Sequence, residues 1–177
     1  MVFRIINQLI RALRVRYYGS TRNESANKDD VETVNGLPAT CLRGLRLSKW
    51  VVEGRYVATE AFLPDKRTAA NRADGGLETS VNWEDDNTVE ARTLADVSMA
   101  QHGAARITTA EITRASRTTA AIITPLSCER KPLRNNPYHG NIVYCATIPK
   151  ILRTQLAATL AMKSRLILPL SESSRNQ

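Results

Sequence analysis

Prolines and glycines divide this chain into segments that are only long enough for short strands and helices. Pro64, Pro125 and Pro169 each end an apolar segment, while the glycine pair 75–76 and Gly103 separate others. No apolar run reaches the roughly 18 residues that a membrane-spanning helix needs. Of the 177 residues, 42% are apolar and 24% are charged, as in an ordinary globular protein. We therefore expect one small domain of short elements.

The periodicity of these segments predicts an α+β fold. Alternating β-branched and aromatic residues indicate strands, and apolar residues three or four apart indicate helices. The predicted strands are 57–63, 78–83, 104–112, 117–125 and 141–148, with 48–52 as an optional sixth. The predicted helices begin near Asn87 and at Pro149 and end at Gly103 and Pro169. We expect a mixed or mainly antiparallel sheet of about five strands with two helices packed on one face.

The first 18 residues have a pattern of their own. Phe3, Ile6, Ile10 and Leu13 share one helical face, and the segment contains four arginines and no acid. This pattern predicts a basic amphipathic helix over residues 1–18. Such a helix either docks on its own domain or lies on an anionic membrane surface, and the sequence leaves both open.

The remaining domain limits follow from composition. Residues 19–36 are small and polar and predict a linker, 37–170 form the predicted domain, and 171–177 form a polar tail. The N-terminus has no uninterrupted apolar stretch followed by a cleavage site, which argues against secretion. The three cysteines, Cys41, Cys128 and Cys145, show no CxxC spacing and fit reduced, buried thiols. We expect a cytoplasmic protein.

Charge is distributed unevenly along the chain. Residues 19–100 hold 10 Lys/Arg against 14 Asp/Glu, whereas residues 101–177 hold 11 against three. A basic face in the last third would attract phosphates or acidic proteins; the alternative is a mixed, solvated surface. The candidate anion-binding residues are Arg106, Arg117, Arg130, Lys131 and Arg134, within a wider basic set that also includes Arg114, Lys150 and Arg153.

His139 is the main catalytic candidate. It follows Asn136 and Pro137, which favour a turn, and it precedes Gly140, which tolerates a positive φ. An imidazole there, with Tyr138 nearby, suits a general base or an anion ligand. The alternative is a turn histidine that only caps backbone groups.

Other candidate chemistry has structural explanations. The acids at 84–86 suit a divalent cation, but a helix start accounts for at least two of them, so we predict no metal site and no cofactor. Trp50, Trp83 and Tyr56 are expected in the core rather than stacked on bases. The glycine pair 75–76 matches neither of the phosphate-loop patterns.

Several short motifs are similar to those of a family of small bacterial proteins. These are the segments TEAFLP at 59–64, TSVNW at 79–83, GAARI at 103–107 and NPYHGNIV at 136–143. The resemblance covers residues 42–145. It implies a bacterial, cytosolic and non-secreted protein, and it assigns no catalytic role to any residue.

Two functions remain open on the sequence alone. The first is a binding or accessory domain whose basic C-terminal surface engages an acidic partner, such as nucleic acid or an acidic protein. The second is an enzyme centred on His139.

Overall fold

The computed structural model of the chain describes residues 36–65, 72–119 and 125–169, which belong to one compact unit. The strands are β1 Thr40–Gly44, β2 Val51–Val52, β3 Tyr56–Val57, β4 Leu77–Trp83, β5 Ala104–Thr108, β6 Leu126–Arg130, β7 His139–Tyr144 and β8 Arg165–Ile167. Six of them form an antiparallel sheet with the order β6-β7-β4-β1-β5-β8, and β2 and β3 form a separate two-stranded sheet. The helices are α1 Val89–Ala95, α2 Val97–Ala100, α3 Thr109–Thr119 and α4 Lys150–Lys163. The α+β class is confirmed.

One face of the sheet carries the main core. Alternate residues of the strands, such as Cys41, Val81 and Ile142, point to this face and are almost fully buried. Helices α3 and α4 cover it, with Ile112 and Leu156 among their buried residues. Burial of these aliphatic side chains is the main stabilising contribution, at roughly 25 cal/mol per Å² of apolar surface.

The opposite face is only partly covered. Leu42, Val89 and Ala104 form a small second cluster beneath α1. Beyond it, most side chains of β4 and β7 on this face are polar, among them Asn82 and Asn141, while Val143 is apolar. The expectation that the helices lie on one face is therefore wrong, and the uncovered polar part of the second face is where the candidate site lies.

The sheet is incomplete between its two central strands. β1 pairs with β4 only at Cys41↔Trp83 and Leu42↔Asn82, although β1 continues to pair with β5 as far as Gly44. Past this point the Arg43 guanidinium donates from Nη1 to the Ser80 carbonyl at 2.8 Å and from Nε to the Ala61 carbonyl at 3.0 Å. The side chain thus satisfies carbonyls that the ladder leaves open.

Strand 57–63 was predicted too long. Only Tyr56–Val57 is extended, and a 3₁₀ turn, Thr59–Ala61, follows. The carbonyl of Phe62 accepts from Tyr144 Oη at 2.7 Å and Thr79 Oγ1 at 3.1 Å, so side chains of the sheet hold this turn. The predicted strand 48–52 likewise becomes a 3₁₀ turn, Ser48–Trp50, followed by the two residues of β2.

The predicted strands 104–112 and 117–125 are also corrected. The first ends at Thr108, and helix α3 occupies Thr109–Thr119. Ile112, Ala115 and Ser116 are buried at helical spacing, so tertiary packing overrides the strand preference of the threonines.

The other element limits are closer to the structure. The predicted strands 78–83 and 141–148 correspond to β4 and β7, whereas β1 and β6 were not predicted. The helix expected between Asn87 and Gly103 breaks at Asp96, whose Oδ1 caps α2 by accepting from the Ser98 N–H at 3.1 Å. The last helix begins as predicted but ends at Lys163, because β8 then pairs with β5.

Some predictions lie outside the described residues. These are the helix over 1–18, all but the last residue of the linker 19–36, residues 120–124 of the predicted strand 117–125, and the tail 171–177. Within the described ranges, no helix combines the length and apolar character needed to cross a bilayer.

Candidate functional site

His139 is the first residue of β7, where its ring is held by the main chain. In the β6–β7 register the Lys131 N–H donates to the His139 carbonyl at 3.0 Å, but the His139 N–H donates to Asn136 instead of Lys131. The His139 side chain replaces this missing main-chain hydrogen bond, with Nδ1 at 2.7 Å from the Lys131 carbonyl oxygen. Because a carbonyl oxygen only accepts, Nδ1 carries the proton. In the neutral ring, Nε2 is then the acceptor.

A chain of side-chain hydrogen bonds lies beside this ring. Asn82 is directly opposite His139 in the β4–β7 register. The Asn136 amide donates to Asn82 Oδ1 at 2.8 Å, and the Asn82 amide donates to Thr93 Oγ1 at 2.9 Å. The chain connects the loop before β7 to helix α1 and fixes the orientation of both amides.

These groups line a continuous groove on the uncovered face of the sheet. A cavity of about 30 Å³ is bounded by residues that include Ser80, Asn82, Asp96 and His139. It adjoins a cavity of about 140 Å³ that shares Asn82 and Asp96 and extends to Tyr138. We call the two together the polar cleft, lined by Ser80, Asn82, Thr93, Asp96, Asn136 and His139.

A larger cavity of about 350 Å³ opens where β1 and β4 separate. Its walls include Ser80 together with Arg43, Arg46 and Trp50, and we call it the arginine cavity. The Cζ atoms of Arg43 and Arg46 lie 5.2 and 5.6 Å from the Trp50 ring centroid. Burial, with a further contribution from the charge of Arg46, lowers the pKa of Arg43 to about 10.

Two of the predicted anion-binding residues are paired with carboxylates of the acidic middle segment. Arg106 donates to both oxygens of Glu84, at 2.8 and 2.6 Å, and also to Glu90. Arg130 donates to both oxygens of Asp85. The hydrogen bonds that Arg106 donates to Glu84 and Arg130 donates to Asp85 raise the pKa values of the two arginines. These two arginines therefore satisfy carboxylates of their own chain.

Lys131 belongs to a second ionic network. Its Nζ lies 3.1 Å from Glu78 Oε1, and Arg72 Nη1 donates to the same oxygen at 2.7 Å and to Glu129 at 2.6 Å. Burial favours a raised pKa for Glu78, but the hydrogen bonds from Arg72 and Lys131 outweigh it, so the pKa is lowered. The network is partly buried and lies on the same sheet face as the polar cleft.

Arg117 and Arg134 are the other two predicted anion-binding residues, and both are exposed. Arg117 lies near the end of α3 and Arg134 in the loop between β6 and β7. Within the part of the chain that the structure describes, neither forms an ion pair. The five predicted residues do not form one surface cluster with unpaired charge.

The acids at 84–86 are held by separate partners. Glu84 and Asp85 form the ion pairs just described, and Asp86 accepts from Thr88 and from Tyr138 Oη at 3.2 Å. In the described ranges, no group of three or more His, Cys, Asp or Glu side chains is arranged to hold a metal ion.

The thiols and tryptophans belong mainly to the core. Cys41 and Cys128 are free thiols on the core face, and burial raises the pKa of Cys128 to about 12. Cys145 follows β7 at the end opposite His139, with its Sγ at 3.2 Å from Thr147 Oγ1. Trp50 and Trp83 are buried, so neither indole offers an exposed face for a base. The expectation that Tyr56 lies in the core is wrong: it is 36% exposed, because it points outward from the two-residue strand β3.

The fold and the groove together define a small α+β domain with a polar groove on one face of an antiparallel sheet. No family model matches this chain, and neither the curated proteins nor the solved structures gave a match. The similarity to a bacterial family stays a prediction that rests on short motifs.

Sequence reasoning singled out His139 with its sequence neighbours Asn136, Tyr138 and Arg134, but not Asn82 or Thr93. Asn82 and Thr93 meet His139 only because β4 pairs with β7 and α1 folds over β4. Alternation along β4 does place Ser80 and Asn82 on the face opposite Val81 and Trp83, which is a signal for a polar second face. Arg43 gave no comparable signal, since its role depends on the separation of β1 from β4.

Proposed function

We propose that this domain binds a small polar molecule in the polar cleft and that His139 accepts a proton from it as a general base. The observation that supports this proposal is the hydrogen bond from Nδ1 to the Lys131 carbonyl, at 2.7 Å. A main-chain acceptor on Nδ1 fixes both the tautomer and the ring orientation, which is the arrangement that general-base histidines need. His139 also lines a cavity with Asn82 and Asn136, so side-chain amides lie near its ring.

The neighbouring groups indicate the chemistry of the ligand. The amides of Asn82 and Asn136 are aligned by hydrogen bonds to each other and to Thr93, so they are positioned before any ligand enters. Such groups orient a ligand rich in hydroxyl or amide groups, which pairs with donors and acceptors alike. Asp96 also lines the cleft and favours a donor at that position. We therefore expect a ligand that presents an O–H or N–H to Nε2 of His139.

A fragment titration followed by NMR tests this proposal. Acetamide, glycerol and uracil are added separately to the full-length ¹⁵N-labelled chain, while the imidazole signals of His139 and the side-chain amides of Asn82 and Asn136 are observed. We expect at least one fragment to shift all three groups together. His139→Gln should abolish the shifts, and His102→Gln, which alters the chain's other histidine, should leave them unchanged. Shifts that persist in His139→Gln, or that avoid the polar cleft entirely, would contradict the proposal.

A second candidate function, engagement of an acidic partner, is favoured by the charges at one end of the helical layer. Ser116 Oγ donates to the Leu126 carbonyl at 3.2 Å, and Leu126 pairs with Tyr144 shortly before α4 begins. The end of α3 and the start of α4 therefore lie at the same end of the sheet. This end carries the cations Arg117, Lys150 and Arg153, none of which forms an ion pair within the described ranges. We propose this set, in place of the wider basic surface, as the region that meets phosphates or acidic side chains.

Heparin retention across a salt series tests the second candidate. Replacement of Arg117, Lys150 and Arg153 by Gln should shift elution to lower salt. The matched control replaces Arg55, Lys163 and Arg165, which removes the same charge elsewhere. Equal shifts in the two triple variants would show that only net charge matters and would overturn this candidate.

A further inference from the structure

The arginine cavity contains two guanidinium groups that are not used by the proposed function. Arg43 and Arg46 both pack against Trp50 and both face the cavity. Among the described residues, neither guanidinium donates a hydrogen bond to a carboxylate. Two cations that line one cavity without a bonded carboxylate favour an anion there.

The donors of Arg43 are oriented and only partly used. A guanidinium has five N–H donors in one plane. In Arg43, Nε and Nη1 donate to the carbonyls of Ala61 and Ser80, and these bonds hold the plane in position. Nη2 donates to no acceptor within the described residues. A fixed guanidinium edge with unused donors is the geometry that binds a carboxylate or phosphate oxygen.

Two acidic residues, Asp65 and Glu78, also line this cavity. Glu78 accepts from Arg72 and Lys131, so its charge is engaged by two cations. The Asp65 main chain bridges to Glu78, and the Asp65 charge favours the charged form of Arg43 without a hydrogen bond to it. The side of the cavity formed by Arg43 and Arg46 thus offers the donors for an anion.

We infer that the arginine cavity is a subsite for an oxyanion group, a carboxylate or a phosphate, on the ligand that the polar cleft binds. Gly44, Ser80 and Met99 line both spaces, so the arginine cavity adjoins the polar cleft. A volume of about 350 Å³ is sufficient for such a group. The link to a single ligand rests on the proposed function, whereas the oxyanion subsite itself does not.

Gly44 lies at the boundary of the two spaces. A Cβ at position 44 would lie 2.5 Å from the Met99 carbonyl oxygen, so β1 and α2 approach each other too closely for any side chain there. The main chain of Met99 therefore covers Gly44 at this boundary.

Calorimetric titration of the full-length protein with inorganic phosphate, and separately with acetate, tests the subsite and distinguishes the two oxyanions. We expect saturable binding of at least one of them, with affinity about tenfold lower in Arg46→Gln, equivalent to the loss of about 1.4 kcal/mol. Arg55→Gln is the matched control, because Arg55 is exposed in the turn between β2 and β3 and does not line the cavity. Arg43→Lys, which keeps the charge but loses the planar fork, should also weaken binding.

Different experimental results would contradict the oxyanion subsite and the proposed function. Absence of binding by both anions, or equal weakening in Arg46→Gln and Arg55→Gln, would overturn the oxyanion subsite. His139→Gln should leave phosphate and acetate affinities unchanged, because its ring does not line the arginine cavity. Oxyanion binding without any fragment binding at His139 would support the subsite and contradict the proposed function.

Discussion

Single residues decide how closely the strands of this domain approach each other, and Gly140 is the clearest case. The sequence suggested a glycine for positive φ in a turn, yet Gly140 is an extended residue of β7. The Trp83 indole lies across β7 at this point and donates from Nε1 to the Glu129 carbonyl on β6 at 3.1 Å. A Cβ at position 140 would lie 2.0 Å from Nε1 and 2.4 Å from the Glu129 oxygen. Position 140 must be glycine because of this close approach.

Gly140→Ala is therefore expected to lower the free energy of unfolding by roughly 3 kcal/mol, since it adds a steric clash and breaks a buried hydrogen bond. Urea unfolding of the variant and the parent measures the difference. In a Trp83→Phe background, which lacks the indole N–H, the same substitution should cost less. Equal costs in both backgrounds would contradict the role assigned to Trp83.

Glu78 provides a pH-dependent prediction at the same scale. Its pKa is lowered in the folded protein, so its stabilising contribution is present above the unfolded value of about 4.3 and is lost as the pH falls through the folded value. The free energy of unfolding should therefore fall more steeply between about pH 5 and pH 3 in the parent than in Glu78→Gln. Denaturant titrations across this range give the two slopes. Parallel curves would show that Arg72 and Lys131 do not stabilise the ionised carboxyl.

At the scale of whole elements, helix α3 has a local helix-start signal that the strand prediction over 104–112 does not take into account. The threonine-rich segment after β5 favoured a strand, but Thr108 and Glu111 have the spacing of a helix cap. In the structure, Thr108 Oγ1 accepts from the Glu111 N–H at 3.0 Å. The cap and the buried Ile112 together explain why the chain turns into a helix directly after β5.

Thr108→Ala should lower the free energy of unfolding by about 1 kcal/mol, because it removes this cap. Thr113→Ala is the control inside the same helix, where alanine is the better helix former and no loss is expected. Thermal or urea unfolding compares the two variants. A Thr108→Ala protein as stable as the Thr113→Ala protein would contradict the cap.

For the whole molecule, the sequence predicts the α+β class but not the arrangement of the strands and helices, and His139 stays a predicted site residue. Short apolar and β-branched segments that follow turn residues indicate β4 and β7, whereas the five residues of β1 were missed because Cys41 and Leu42 are buried on opposite faces. The surplus of cations in the last third predicts a basic surface. Pairing with Glu84 and Asp85 depends on strand neighbours, which no local pattern encodes.

The central claim is that His139 holds its proton on Nδ1 and offers Nε2 to the polar cleft. Long-range ¹H–¹⁵N correlation spectra of the imidazoles measure this directly in alkaline solution, where imidazole is neutral, with His139→Gln and His102→Gln used to assign the two rings. We predict a protonated Nδ1 and an unprotonated Nε2 for His139. A neutral ring with its proton on Nε2 would contradict the hydrogen bond to Lys131 and, with it, the proposed general base.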